Sequence, residues 1–366
     1  MESQQKSKIK LFFISDNWFP DIGGLENSIL LLAKNISIYY DIEILTSSDK
    51  QGHAFDSGVK VITFQIEKSG YYQALFNYIK KEKRIRKDII VHFFGTSYFW
   101  PKEQVNLIHK IKLQSIPVIL KIPTLGHGKK YLSKHFNTSL QLIDTYIALT
   151  PAIKQELVSI GVNTNQIAII PNGVDTKKYS MQRNCNIREL DSVKIGFAGR
   201  FTEQKNLIFL IEALNLVDSK NRPKLIFKGK FDNKYNDGVD IRKYQNDYIR
   251  ILQADLDIIN FYNEIDVYIS PSMAEGMPNS VLEAMACSLP IFLSNIPGHI
   301  ELVPNKSQLF SIKENGQLVD ILRNLRILKD TGRLKTLGHE SRLRVENLYS
   351  IELIRKCYVE LYEKLI

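Results

Sequence analysis

Glu275 and Glu283 stand eight positions apart in EGMPNSVLEAMACSLP, the segment from Glu275 to Pro290 that follows the apolar run VYISPS. Pro278 falls at or just before a first helical turn, where its missing N–H costs nothing. Gly276 permits close backbone approach. The N–H groups of Asn279 and Ser280 then become donors at a helix start, a ready place for a phosphate. Eight helical positions rise about 12 Å, and a loop-to-helix path is similar or shorter. The two carboxylates can therefore grip separate hydroxyl-bearing parts of one extended ligand. They are poorly placed as a glycosidase pair flanking one bond. The plain alternative is a Glu283 that pairs or caps on its own helix.

Three further segments carry residues of the same chemistry. GRFTEQKN, Gly199 to Asn206, sits at the exit of the strand-like KIGFA. Arg200 offers a planar fork for phosphate oxygens and Lys205 a mobile point charge. Two cations converging on a diphosphate would stabilise the charge that builds as a nucleotide leaves. DNWFPDIGGLENS, Asp16 to Ser28, places Gly23 and Gly24 before a helix, where backbone torsions closed to other residues become available. IIPNGVD, Ile169 to Asp175, reads as a turn at a boundary.

Together these segments resemble family 4 glycosyltransferases, retaining enzymes of the GT-B fold that use nucleotide-sugar donors. The glutamate–seven–glutamate spacing, the Gly-Arg…Lys-Asn element, the diglycine loop and IIPNGVD agree in order and cover nearly the whole chain. PGHIELV, Pro297 to Val303, resembles the family's turn and helix after the penultimate strand. The resemblance implies that Arg200 and Lys205 hold the diphosphate and that Glu283 accepts hydrogen bonds from the ribose. Glu275 would then accept from hydroxyls of the transferred sugar. Backbone amides near Gly276, Asn279 and Ser280, with the Gly23–Gly24 loop, would complete the anion site. No metal or other cofactor is expected, since cations and helix ends do that work.

One departure stands out. Many relatives carry a histidine just after the strand represented here by PVILKI, and that place falls at Pro123. His127 lies four residues later in TLGHGKK, read as a flexible glycine-rich loop, and is the candidate substitute. Retaining transfer on this fold needs no obligatory protein base, because the leaving phosphate can take the acceptor proton. Two other readings stay open: a UDP-sugar 2-epimerase of the same architecture, and a non-catalytic partner subunit.

The elements that must position these residues alternate strand and helix. Apolar runs at 9–15, 41–46, 59–65, 89–94, 117–122, 145–149 and 167–170 predict strands, with helices at 27–37, 71–87 and 102–114. The pattern restarts after the polar stretch 176–192, with strands at 194–198, 224–228, 267–270 and 291–294. Helices follow at 207–219 and 279–287, then at about 315–328, 331–347 and 350–365. Alternation of this kind means parallel sheets covered on both faces. The fold expected is α/β: two Rossmann-like domains facing a cleft, 1–176 on the acceptor side and 177–349 binding the nucleotide sugar. A last helix, 350–366, is expected to pack back on the first domain.

Composition agrees with a two-domain globular chain: 366 residues, 44% hydrophobic and 24% charged. Net charge is +10, and residues 1–180 carry 23 basic against 15 acidic side chains, +8 of that excess. The basic half points to an anionic partner. Helix 71–87 ends with six cations in its last eight residues. It reads as a Rossmann helix with dipole-complementing cations, or as a surface helix meeting anionic lipid. Lys129, Lys130 and Lys134 form a second basic cluster. Cys185, Cys287 and Cys357 show no metal-ligand spacing and read as reduced thiols. No signal-peptide pattern opens the chain, so a cytoplasmic location, at most peripheral to the membrane, is expected. The expected partners are a nucleotide sugar and a glycan or lipid-linked acceptor, without nucleic acid.

Overall fold

The computed structural model describes residues 8–16, 23–47, 58–64, 70–97, 101–136, 139–180, 192–231, 238–254 and 258–366. Most of the polar stretch 176–192, part of the diglycine loop and Gln65 lie outside the described residues. The chain forms two compact units. One comprises the residues up to Gly173 together with Ile351–Ile366, and the other is Val174–Ser350.

The first unit is built on seven strands: β1 Lys10–Ser15, β2 Asp41–Ser47, β3 Lys60–Phe64, β4 Ile89–Phe94, β5 Val118–Ile122, β6 Thr145–Ala148 and β7 Ile167–Ile169. They run parallel in the order β3-β2-β1-β4-β5-β6-β7. Every residue of β1 and of β4 is buried, as expected for central strands covered on both faces. Lys10 opens β1 fully inside the fold, held by Asp41 at 3.1 Å and Glu43 at 2.8 Å. Strand order reverses between β1 and β4, which puts the carboxyl ends of those two strands at the topological switch point.

Helix Tyr71–Ile85 buries Tyr71, Tyr72, Leu75 and Ile79, and Tyr78 donates to Glu43 Oε2 at 2.7 Å. Its apolar stripe is therefore spent on the sheet, the Rossmann-helix alternative of the two offered by the sequence. Helix Ile351–Glu363 belongs to this unit and packs on helix Gly24–Ile36. Its Tyr362 hydroxyl lies 2.8 Å from His92 Nδ1 in β4.

The second unit holds six parallel strands: β8 Lys194–Phe201, β9 Lys224–Phe231, β10 Ile249–Gln253, β11 Val267–Ser270, β12 Ile291–Ser294 and β13 Leu309–Phe310. Their order is β10-β9-β8-β11-β12-β13, so here the switch point lies between β8 and β11. Helices Leu207–Asn215, Gly316–Asp330 and Arg333–Leu348 bury one apolar side each against a core that includes Phe197, Phe227 and Leu322.

Several described elements lie outside the sequence-based expectations, four of them in the helices and strands around the two sheets. Helix Pro151–Ser159 carries a complete start signal, Thr150 accepting from the Ile153 N–H at 3.3 Å and Pro151 in the first turn. Strand β10, the seven-residue helix Ile258–Glu264 and the two-residue β13 are too short or too polar for periodicity to register.

Candidate donor site in the second unit

Lys205 and Glu275 are 70 positions apart in sequence and meet at 2.5 Å, Nζ to Oε1. Topology explains the meeting. Lys205 follows β8 and Glu275 follows β11, the two strands that flank the switch point. The loops are then stitched together. The Met273 N–H donates to the Gln204 carbonyl at 2.8 Å, and Gln204 Nε2 donates to the Ala274 carbonyl at 2.6 Å. Asn206, next to Lys205, takes a left-handed conformation, φ 52° and ψ 41°. Asparagine tolerates that region where most L-residues do not, which is the physical content of the Lys-Asn pair seen in the sequence.

Glu275 is nearly buried. Burial alone would raise its carboxyl, but the Lys205 charge and hydrogen bonds from Lys205 and Ser272, joined by His299 when its imidazole is protonated, outweigh it and hold the group below the usual carboxylate range. Glycine at 298 makes room for the backbone that carries this residue: a Cβ there would sit 2.2 Å from the Glu275 carbonyl oxygen.

His299, wholly buried, is the residue that sequence reasoning missed. Its Nδ1 lies 3.0 Å from both the hydroxyl and the carbonyl oxygen of Ser294, and its buried Nε2 has no hydrogen-bond partner among the described residues. Burial pushes the imidazole down to about 4, so it stays neutral in ordinary buffers, with Glu275 pulling the other way. Ser294 Oγ also donates to the Ser272 carbonyl at 2.5 Å, so one hydroxyl ties β12 to the loop that carries Glu275. The only sequence signal was a histidine two places after a proline at a strand exit.

Helix Asn279–Ala286 starts at Pro278, its N-cap, with no side chain capping it. Ser280 Oγ accepts from the Tyr268 hydroxyl at 2.9 Å. Glu283 is half-buried one turn on, and its Oε2 accepts from the Tyr262 hydroxyl at 2.7 Å. A second phenol, Tyr179, packs edge-on against the Tyr262 ring at 6.2 Å. Burial pushes the Glu283 carboxyl up, against the two tyrosines and the nearby Lys178 charge. This replaces the picture of a glutamate paired on the helix surface. Arg200 is exposed at the end of β8, in register with Lys230 of β9. The second unit thus brings Lys205, Glu275, Gly276, Asn279, Ser280 and Glu283 onto the loops and the helix that follow β8 and β11.

The first unit holds the remaining candidates. The Gly23 N–H donates to Glu26 Oε2 at 2.8 Å, so the helix that Gly24 opens is capped by its own carboxylate. TLGHGKK is no flexible loop, which corrects the expectation. Residues Gly128–Leu132 form a π-helical turn. Buried Glu156 accepts there from the Gly126 N–H at 2.6 Å and from the Lys129 N–H at 2.7 Å. His127 heads this turn, its Nδ1 buried without a hydrogen-bond partner among the described residues and its ring edge-on to Tyr131 at 5.1 Å. Burial lowers the His127 imidazole, with Lys130 adding to the effect and Glu156 opposing it. Glu156 carried no sequence signal, because a glutamate on an amphipathic helix is ordinary.

Known proteins share both units. A model of "Glycosyltransferase Family 4" matches residues 22–178, and one of "Glycosyl transferases group 1" matches 192–326. The capsular polysaccharide biosynthesis glycosyltransferase CapM of Staphylococcus aureus is 28% identical over 225 residues, 57% of this chain and 58% of CapM. The Escherichia coli UDP-Gal:alpha-D-GlcNAc-diphosphoundecaprenol alpha-1,3-galactosyltransferase is 29% identical over 218 residues, 55% of this chain and 56% of that enzyme. The chain thus matches somewhat over half the length of each. Among solved structures, Anabaena HepE in complex with UDP-glucose superimposes with a TM-score of 0.79 at 16% identity, covering 97% of this chain and 100% of HepE. Fold, family models and relatives agree: the chain belongs to the glycosyltransferases of the family 4 type, built on the GT-B fold.

Proposed function

We propose that the protein is a retaining, metal-independent hexosyl- or N-acetylhexosaminyltransferase. It would draw on a UDP-linked sugar and act on a glycan or lipid-linked acceptor in cell-surface polysaccharide synthesis. The observation that carries this reading is the Lys205–Glu275 pair at the β8/β11 switch point, with Glu275 eight residues ahead of Glu283. Lys205 and Arg200 would hold the diphosphate, and the first-turn amides at Asn279 and Ser280 would add donors toward it. Glu275 would accept from hydroxyls of the sugar, and Glu283 from the ribose. As the bond to the anomeric carbon breaks, charge builds on the diphosphate, and fixed cations stabilise it without the reorganisation that water would need. The leaving phosphate would take the acceptor proton, so His127 acts by contact with the acceptor rather than as an obligatory base.

UDP is favoured because HepE was solved with UDP-glucose and the E. coli relative is named for UDP-Gal. Polysaccharide synthesis is favoured by the name of CapM, and a lipid-linked acceptor by the name of the E. coli relative. Peripheral contact with an anionic membrane is favoured by the basic first unit; among the described residues no helix is long and apolar enough to cross one.

The test is turnover followed by proton NMR, with UDP-glucose, UDP-galactose and UDP-GlcNAc. Each is supplied alone and with an undecaprenyl-diphosphate-linked GlcNAc acceptor, with and without EDTA. Transfer that survives EDTA and gives an α-linked product from the α-linked donor supports the reading. A β-linked product removes retention. Loss on chelation removes metal independence. Change at the sugar C2 with no acceptor present would make the protein an epimerase.

A further inference from the structure

Around Glu283 the second unit builds a buried aromatic frame whose hydroxyls converge on one short segment. Tyr262 donates to Glu283 Oε2 at 2.7 Å and to the Ser280 carbonyl at 3.1 Å. Tyr268 donates to Ser280 Oγ at 2.9 Å. Tyr179, in the segment that follows Val174, adds an electrostatic interaction with Glu283. The rings brace one another: Tyr262 meets Tyr179 edge-on at 6.2 Å and lies 6.2 Å from Tyr268. All three tyrosines are buried, whereas Glu283 is half-buried and thus more exposed than any of them.

We propose that Tyr262 and Tyr179 are positioning residues for Glu283, clamping its carboxylate so that its remaining lone pairs face the two hydroxyls of a nucleotide ribose. The proposal rests on the reading of Glu283 as the ribose ligand and adds to it the device that fixes the ligand's orientation. Three physical points carry it. An ionised carboxylate offers about four lone-pair sites, and the Tyr262 phenol, braced edge-on by the Tyr179 ring, uses one of them. A ribose diol needs two acceptor positions at once, so a swinging glutamate would lose rotamer freedom on binding that a clamped one has already given up. Burial also works against this carboxylate, and among the described residues no cation hydrogen-bonds to it. A well-packed apolar residue would cost the fold less there, so stability alone does not account for a glutamate at this place.

The test is a binding cycle by calorimetry on the full chain. UDP, ADP and GDP are each paired with the 2′,3′-dideoxy form, and the cycle is followed on whichever diphosphate binds the wild type. Variants are Tyr262→Phe, Tyr179→Phe and Glu283→Ala, each checked for its melting temperature. In the wild type, loss of the diol weakens binding about tenfold or more. Each Tyr→Phe variant weakens the ribonucleotide about three- to tenfold and leaves the dideoxy form within about twofold of wild type. Glu283→Ala brings the two forms level. Equal losses for both forms in the Tyr→Phe variants mean a merely structural role and overturn the proposal. A ribo/dideoxy preference that survives Glu283→Ala overturns the ribose reading of Glu283 itself. Failure of all three diphosphates to bind overturns the donor site altogether.

Discussion

Lys205 and Glu275 hold one another with side chains only 18% and 10% exposed, so neither can be removed without leaving the other stranded. Lys205→Ala leaves a nearly buried carboxylate without its cation, and burial, no longer outweighed, moves that carboxyl upward. The single variant is expected to lose about 2–4 kcal/mol in urea unfolding, and Lys205→Ala with Glu275→Gln to recover most of it. Losses that simply add would mean the pair is not coupled. His299 sets a pH limit on the same cluster. Its imidazole titrates near its ordinary value when unfolded and at about 4 when folded. Between those values the unfolded chain binds the extra proton, so stability falls as pH drops from about 6.5 toward 4. In His299→Gln that part of the slope should flatten, read by melting temperature across pH 4–7.

The site is placed by connections between elements, and these were unevenly legible. Glu275, Glu283, Arg200 and Lys205 lie on motifs whose spacing marks a strand exit or a helix start, where short-range rules are strong. What spacing could not give was the partners reached through the fold. Tyr262, Tyr179 and His299 approach the site from separate elements, and Glu156 pins a π-helical turn 30 residues before it in sequence. The TLGHGKK turn was misread because its two glycines signal looseness, whereas Glu156 bonds two of its amides and would lie 2.9 Å from a Cβ at Gly128. Glycine has the same packing role at 298. Gly298→Ala forces a methyl to within 2.2 Å of the Glu275 carbonyl oxygen, so loop or helix must shift. A cost of about 1–3 kcal/mol is expected. Donor affinity should fall with it, whereas Gly316→Ala, with nothing near its Cβ, should change neither. Unchanged donor affinity in Gly298→Ala would mean that this packing does not place Glu275.

For the whole molecule, the charge is divided as the chemistry is. The residues proposed to grip the nucleotide lie in the second half, where basic and acidic side chains nearly balance, while residues 1–180 carry +8. That excess is free to serve the acceptor or the surface that bears it. Exposed Lys129, Lys130 and Lys134 and the cationic end of helix Tyr71–Ile85 display it in the first unit. Sedimentation with vesicles should show binding to anionic but not neutral lipid, weakened when salt rises from 50 to 300 mM, on the order of a Debye-length effect. Binding indifferent to lipid charge and salt would contradict the electrostatic account. The central claim concerns the other half and is tested most directly by calorimetric titration of UDP-, GDP- and ADP-sugars into wild type, Lys205→Ala and Glu275→Gln. One nucleotide-sugar class should bind the wild type, and Lys205→Ala should weaken the nucleotide diphosphate and its sugar form alike. Glu275→Gln should weaken the sugar form more than the bare diphosphate, because only the sugar reaches that carboxylate. Binding to none of them, or equal binding by all three proteins, would contradict the donor site described here.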